Sequence, residues 1–594
     1  MSSSPSRRAV ALFSASVAVG CLVSACAPAD ASDPARTQVV GSLPAWASGP
    51  SVAADVAADS LVSLSLLLPE SDAPSADAAE VEQWVESVGL DAGGLREQAA
   101  VLPVSGPRSA VERAFATTFV SYDTTGPSVA APSAPLSVPA GLPVEGIAGT
   151  VLADTVRPTL TVSPAGAARA AAPPVDTDEC AAHWGETLSS QWPVSLDLEH
   201  RSNSLCGYGP QQLRDLHEIP DDLTGEGATI AIVAAYDDAT VESNTNTYFT
   251  AYGEQPFEPG QYTHHSPVAP DVDRCGGPLA WTEEQHLDVQ AAHAIAPDAD
   301  IVYWGADDCT TQSLYLRVLD AVEDRPDVVS LSFGASEEMD TPDDRILLNR
   351  ILVQAATHGV SVFASTGNEG DFSMSGDHAE GPSVASPASS PYITAVGGTS
   401  TGLDADGDVV VEAGWEIQLR FSRNGAIVPP GFAHGSGGGE SAAYPRPSWQ
   451  SDLPGDGGRM LPDVASLADP NTGFVTYGPH GGTVGYVVHG GTSLATPMVA
   501  ATVAVAKAAS GADVGLAAPY LYDLAGTDAL RDVVPASAGT WSPTGPDPDA
   551  LYPESVSVWD VQPQTLRSGP GWDPVTGLGV PSSTTFFDTF GQQR

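Results

Sequence analysis

Four short runs in the second half of the chain, GATIAIVAAY, DADIVYWGA, DVVSLSFG and GVSVFASTG, are apolar with little interruption. A strand with one wet face alternates polar and apolar residues, whereas a strand covered on both faces does not. Helix-patterned segments, EQHLDVQAAHAIA and RILLNRILVQAATHG, lie between the runs. Buried strands alternating with helices predict an α/β fold, a mostly parallel sheet with helices on both faces. Sites in such sheets gather in the loops beyond the carboxyl ends of the strands. Residues 401–460 read as hairpins and Gly-rich loops, and there is no internal repeat.

The first half has a different character. SRRAVALFSASVAVGCLVSAC has a basic start and an apolar run too short to span a membrane, the pattern of an export signal over residues 1–26. Arg7 and Arg8 fit a twin-arginine signal, and VSAC fits a bacterial lipobox that would place a lipid on Cys26. Cleavage nearby without a lipid is equally compatible. Residues 27–50 read as a tether and 51–165 as a compact α+β unit. Residues 166–180 read as a Pro-rich exposed linker and 181–594 as the sheet domain. Four cysteines remain beyond the signal, and export favours disulfides. Sequence-local pairing, Cys180 with Cys206 and Cys275 with Cys309, is the expectation among three connectivities.

GGTSLATPMVAA places Ser493 at the mouth of an apolar helix. Small neighbours expose such a serine, and a helix N-terminus favours negative charge beside it. Alone, the motif is an ordinary helix cap. Glu284 and Asp288, in WTEEQHLDVQAAHAIAP, fall on one face of a helix, where like charges repel unless they share a proton or a task. The apolar residues around them make that helix a poor solvated rod.

GGTSLATP resembles the nucleophile segment shared by subtilisins and sedolisins. The His-Gly-Thr-His segment of subtilisins is absent, while the Glu-x-x-x-Asp pair and AHAIAP resemble sedolisins. VPAGLPVEGIAGTVLAD resembles the sedolisin activation prodomain, and CGYGPQQLRDLHEI, ITAVGGTS, GSGGGESAAYPRPSWQ and LPDVASLADPNTGFVTY resemble segments of its catalytic domain. The resemblance implies a subtilisin-like sheet domain preceded by a prodomain. It also implies Ser493 as nucleophile, Glu284 as general base and Asp288 as its orienting partner. At the oxyanion position the chain departs from the family: VFASTGNEGDF puts Asn368 where sedolisins carry an aspartic acid. Asn368 is preferred to Asp371 as the donor on register. An asparagine donates at any pH, whereas an aspartic acid must be protonated.

LRDVV and SGPGWDPVTGLGVP resemble the segments that wrap one calcium ion in sedolisins. The resemblance implies side chains of Asp532 and Asp573 and main-chain oxygens of Val533, Gly569 and Gly571 as ligands. It further implies a self-processing serine-carboxyl endopeptidase active in acid, cut near residues 165–178, with its own prodomain as inhibitor and proteins or peptides as substrates. SLSFG is a strand end that could pair with an extended peptide. A net charge of -51, from 23 basic and 74 acidic residues, argues against nucleic acid and anionic lipid as partners. The expected protein is a monomer, extracellular or on the cell envelope, touching membrane only through a lipid on Cys26. A subtilisin-like variant and a protease-fold binding protein of the envelope are the competing readings. WEIQLRFSRNGAIVPPGFAHG reads as a local insertion without an assigned role.

Overall fold

The structure is a computed structural model. It describes residues 35–592 except 49–50, 54–58, 71–73, 123–127, 153, 155, 163–179, 194–195, 374–380, 424–425, 543–553 and 561–563. The expected export signal, Cys26 and most of the expected processing linker lie outside the described residues.

The apolar runs form the centre of an eight-stranded sheet. Its order is Tyr262–His265, Asp300–Ala306, Thr229–Ala235, Val328–Leu331, Ser361–Ser365, Thr394–Leu403 and Val409–Gly414, with Val464–Leu467 also paired to Thr394–Leu403. Every pairing is parallel except that of Val409–Gly414. The helices Leu279–Ile295 and Thr492–Ser510 pack on each other and on the sheet, and Thr311–Glu323 packs with Pro342–Thr357 as a second pair. Strand order reverses at Thr229–Ala235, which opens a crevice at the carboxyl ends. Thr492–Ser510, the one described helix apolar enough to cross a membrane, is buried core.

The N-terminal unit has its own core. An antiparallel sheet, in the order Asp91–Ala92, Val101–Pro107, Leu61–Leu67, Gly146–Ala148, is accompanied by the helices Pro74–Ser87 and Arg108–Phe115. Part of the expected tether belongs to this unit. Arg36–Gln38 pairs with Ser137–Pro139, Val39 is buried in its core, and Ser42 Oγ accepts from Leu136 N at 2.9 Å. Val39 and Ser42 dock a stretch whose small-residue composition suggested a free tether.

The two units meet at the N-terminus of helix Pro342–Thr357. Asp343 accepts from Ile147 N and Asp344 from Gly149 N, each at 2.7 Å, so backbone of the N-terminal sheet is satisfied by the larger unit. The disulfides are Cys180–Cys206 and Cys275–Cys309, the sequence-local pairing. The apparent insertion is a hairpin, Glu416–Arg423 with Ala426–Gly435. It extends a second sheet through Glu554–Trp559.

Candidate active site

Leu279–Ile295 is helical because it holds no internal Gly or Pro and is rich in Ala, Leu and Gln. It places Glu284 and Asp288 one turn apart, both fully buried. Asp288 Oδ1 accepts from Ser332 Oγ at 2.7 Å. Asp288 Oδ2 and both Glu284 oxygens make no hydrogen bond. Burial, and then the neighbouring Asp288, push the Glu284 carboxyl well above its usual range, and burial does the same to Asp288. The side chain of Ser493 and the Leu160 N–H oppose the rise at Glu284, acting as nearby dipoles rather than as bonds of proper geometry. A proton taken up there belongs to the pair rather than to either residue.

Ser493 follows the strand Thr483–Gly490 through Gly491, which has φ +95°. A Cβ on Gly491 would stand 2.1 Å from the carbonyl oxygen of Thr159, so glycine is required twice over, for conformation and for space. Ser493 Oγ lies 2.8 Å from Thr159 Oγ1 and donates to Ser332 O at 3.3 Å. Pro497 sits in the second turn of helix Thr492–Ser510. Lacking an N–H, it leaves the Ser493 carbonyl free of its helical partner. Ser332 Oγ reaches that carbonyl at 3.3 Å.

Asn368 lies in the turn after Ser361–Ser365. Its Nδ2 donates to Thr159 O at 2.5 Å, and Ser493 N donates to the same oxygen at 3.3 Å. Asn368 Oδ1 accepts from Thr492 N at 2.9 Å and Thr492 Oγ1 at 3.0 Å, which fixes the orientation of the amide. Asp371 faces away, accepting from Thr565 and Ser373. Gly435, at the end of the added hairpin, donates to Asn368 O at 2.9 Å and so steadies this turn.

Residues 157–162, which the sequence placed at the end of the α+β unit, instead run through the crevice as an extended peptide and are the described part of the linker. Arg157–Pro158 pairs antiparallel with Phe333–Ser336, and Thr161–Val162 pairs antiparallel with Thr483–Gly490. Thr159 N donates to Ser332 O at 3.2 Å. The carbonyl of the Thr159–Leu160 peptide bond thus points at Asn368 Nδ2 and Ser493 N. A cavity of about 70 Å³ beside Pro158 and Thr159 is walled by Gly334, Met339, Phe372 and Ala385.

Ser493, Glu284, Asp288 and Asn368 stand in one crevice around the Thr159 carbonyl. Ser332 and Thr159 went unnoticed: SLSFG was visible as a strand end, but nothing marked its serine as a partner of Asp288. At the expected calcium loop, Gly571 N donates to both Asp532 oxygens at 3.0 Å and Gly569 N to Asp573 Oδ2 at 3.2 Å. Both carboxylates therefore converge on one Gly-rich turn. Burial pushes Asp573 up to about 6.

Residues 274–534 match the subtilase family, and residues 70–152 match the pro-kumamolisin activation domain. Kumamolisin of Bacillus sp. (strain MN-32) is 29% identical over 525 residues, 85% of this chain and 81% of that protein. Tripeptidyl-peptidase 1 of Homo sapiens is 29% identical over 358 residues, 56% of this chain and 55% of that protein, so the chain spans about half of that relative. A Pseudomonas sedolisin complexed with pseudo-iodotyrostatin superposes with a TM-score of 0.49 at 24% identity, covering 64% of this chain and 97% of that one.

Proposed function

Because the chain belongs to the sedolisin family of serine-carboxyl peptidases and carries an activation domain of the pro-kumamolisin type, we propose that it is an acid-active endopeptidase zymogen that first cuts its own Thr159–Leu160 bond. The observation that carries this reading is the Thr159 carbonyl, held by Asn368 Nδ2 and Ser493 N beside the serine hydroxyl. Ser493 Oγ attacks that carbonyl carbon and passes its proton to Glu284, while Asp288, held by Ser332, orients Glu284 and shares the charge. The oxyanion gathers the two donors it already has. Glu284 then protonates the Leu160 amine as it leaves, and water, deprotonated by Glu284, hydrolyses the Thr159 acyl-enzyme.

Burial under the linker raises the proton affinity of the pair. Departure of the linker wets it and frees the base, so the same segment is both first substrate and inhibitor. Other proteins and peptides would then occupy the strands that residues 157–162 vacate. The export-signal pattern in the sequence of residues 1–26 and the two disulfides support an extracellular or envelope location.

A calcium ion at Asp532 and Asp573, with main-chain oxygens of Val533, Gly569 and Gly571, is part of the reading. Oxygen donors on a sharp turn suit Ca²⁺, and two carboxylates facing one turn would be relieved by a cation. Chelation should lower the melting temperature of the full chain, and calcium should restore it.

The deciding experiment follows the purified full chain beside Ser493→Ala from about pH 3 to 8 with calcium present. The wild type alone should release a fragment beginning at Leu160, identified by N-terminal sequencing. Absence of cleavage at every pH would leave the protease-fold binding protein as the better reading.

A further inference from the structure

Glu283 adjoins Glu284 in sequence but belongs to a different cluster. Its Oε2 accepts from His480 Nδ1 at 2.8 Å and from His489 Nε2 at 3.1 Å. The two histidines stand at opposite ends of the hairpin formed by Phe474–His480 and Thr483–Gly490. His480 pairs with Thr483 near the turn, and His489 pairs with Phe474 at the far end. Between them on the same face comes the pair Gly478–Gly485. A Cβ on Gly478 would meet the His286 ring at 2.6 Å, so the glycine makes the gap that admits helix Leu279–Ile295. That close approach carries Glu283 to both imidazoles.

We propose that Glu283 Oε2, His480 Nδ1 and His489 Nε2 form a binding site for a divalent transition metal of the zinc class, distinct from the calcium loop. The three atoms lie within 4.8 Å of one another, close enough for small side-chain shifts to bring them around one ion. Two imidazoles and a carboxylate suit Zn²⁺ or Co²⁺ and do not suit Ca²⁺. The site has a supporting hydrogen bond of the kind metal-binding histidines use: His489 Nδ1 lies 2.7 Å from Thr476 Oγ1. A threonine hydroxyl can donate to that nitrogen or accept from it. It therefore supports the tautomer that hydrogen-bonds Glu283 and equally the one that offers Nε2 to a metal. His286 is not a fourth ligand, since its Nδ1 faces Thr282 O at 2.8 Å and its Nε2 faces Asn244 Nδ2 at 2.9 Å. With three protein ligands, water completes the shell. The His480 and Glu283 side chains are 29% and 21% exposed, which gives the ion a route from solvent.

The position gives the ion a structural effect. His489 is the backbone partner of Val162 in the bound linker and lies on the strand leading to Ser493, while Glu283 precedes Glu284. A bound metal ties that strand to the catalytic helix on the leaving-group side of the cleft.

The test uses the full-length Ser493→Ala chain, calcium-saturated and near neutral pH, titrated with Zn²⁺ by calorimetry and with Co²⁺ by visible spectroscopy. One equivalent should bind with a dissociation constant on the order of 10 µM or tighter. His480→Asn and Glu283→Gln should each weaken it by roughly tenfold to a hundredfold. Co²⁺ should show the intense bands of four- or five-coordination, and Zn²⁺ should raise the melting temperature of the parent but not of His480→Asn. His480 sits at the rim of the hairpin, so its variant should fold normally. Zinc binding absent up to about 100 µM, or unchanged in both variants, would overturn the proposal. Neither result depends on whether Ser493 is catalytic.

Discussion

At the residue scale, Asn368 stands where the family resemblance implies an aspartic acid, and its geometry makes the consequence testable. It donates to the carbonyl it would stabilise, and its own oxygen is locked by Thr492. Asn368→Ala should lower kcat by about a hundred- to a thousandfold with little change in KM, since a donor to the developing oxyanion acts mainly in the transition state. Asn368→Asp should keep activity in acid and lose it as the new carboxyl ionises. The alkaline limb of its pH–rate profile would then fall below that of the wild type. Coincident limbs for the two enzymes would show that Asn368 does not donate to the oxyanion. Ser493, Glu284, Asp288 and Asn368 were legible because each sits in a contiguous string whose neighbours carry the signal. Thr159 was not: a Pro- and Thr-containing linker has no local chemistry that marks one peptide bond, and only the register of two strands from distant parts of the chain selects it. Ser332 escaped for the same reason, its partner being brought to it by the sheet.

At the scale of elements, the buried strands and the two long helices were readable because burial on both faces leaves unbroken apolar runs. Pairing across distance was not. The hairpin Glu416–Gly435 was visible only as extra sequence, and its neighbour Glu554–Trp559 lies more than a hundred residues away. The contact between prodomain and catalytic unit was equally hidden. Helix Pro342–Thr357 supplies Asp343, Asp344 and Arg350 to it. Arg350 Nη1 donates to Leu68 O at 2.9 Å and to Ala99 O and Ala100 O at 3.3 Å, and the guanidinium pairs with Glu70 and Glu145 at 3.4 Å. Bonds from a charged donor are each worth roughly 1.5–3 kcal/mol when shielded from water. The two glutamates are exposed and add little. Arg350→Ala should therefore shorten, by about tenfold or more, the lag between linker cleavage and the appearance of activity on a peptide substrate. The cleavage rate itself should stay nearly unchanged, because none of these Arg350 bonds reaches residues 157–162 or the side chains around the Thr159 carbonyl. An unaltered lag would mean that the linker alone, rather than the docked domain, maintains inhibition. The disulfide Cys275–Cys309 contributes at the same interface, since Cys275 N and Arg274 Nε both donate to Asp154 of the prodomain segment, at 3.0 and 2.9 Å.

For the whole molecule, the buried acids set how stability should vary with pH. Burial, aided by Asp344, pushes Asp340 up to about 7. Burial pushes Asp343 up to about 6, and burial with the charge of Asp560 pushes Glu416 up to about 8. Glu284 and Asp288 are raised for the same reason. An acid whose folded-state affinity for protons exceeds its unfolded one favours the fold where it is protonated. Its contribution is complete below about pH 4 and fades as pH rises through the raised value. Between pH 8 and about 6.5 the folded chain therefore binds more protons than the unfolded chain, and acidification should stabilise it. Relief of repulsion among so many acidic residues acts in the same direction. Below about 6.5 a second set of groups opposes this. Burial depresses His217 and His293 to about 4, and His286 is also lowered. These histidines bind protons in the unfolded chain before the folded one, so their contribution is lost as pH falls from about 6.5 toward 4. The histidines offset only part of what the acids contribute, so stability should rise from pH 8 to about 6.5 and then level off toward pH 4. Melting temperatures of Ser493→Ala, measured at constant ionic strength and calcium from about pH 4 to 8.5, should follow that course. They should be lower at pH 8 than at pH 6 by roughly 3 °C or more, equivalent to about 1 kcal/mol or more. A melting temperature that climbs steadily to pH 8 would mean that the buried carboxyls are ionised in the folded chain, and with them the pair that the proposed mechanism requires to share a proton.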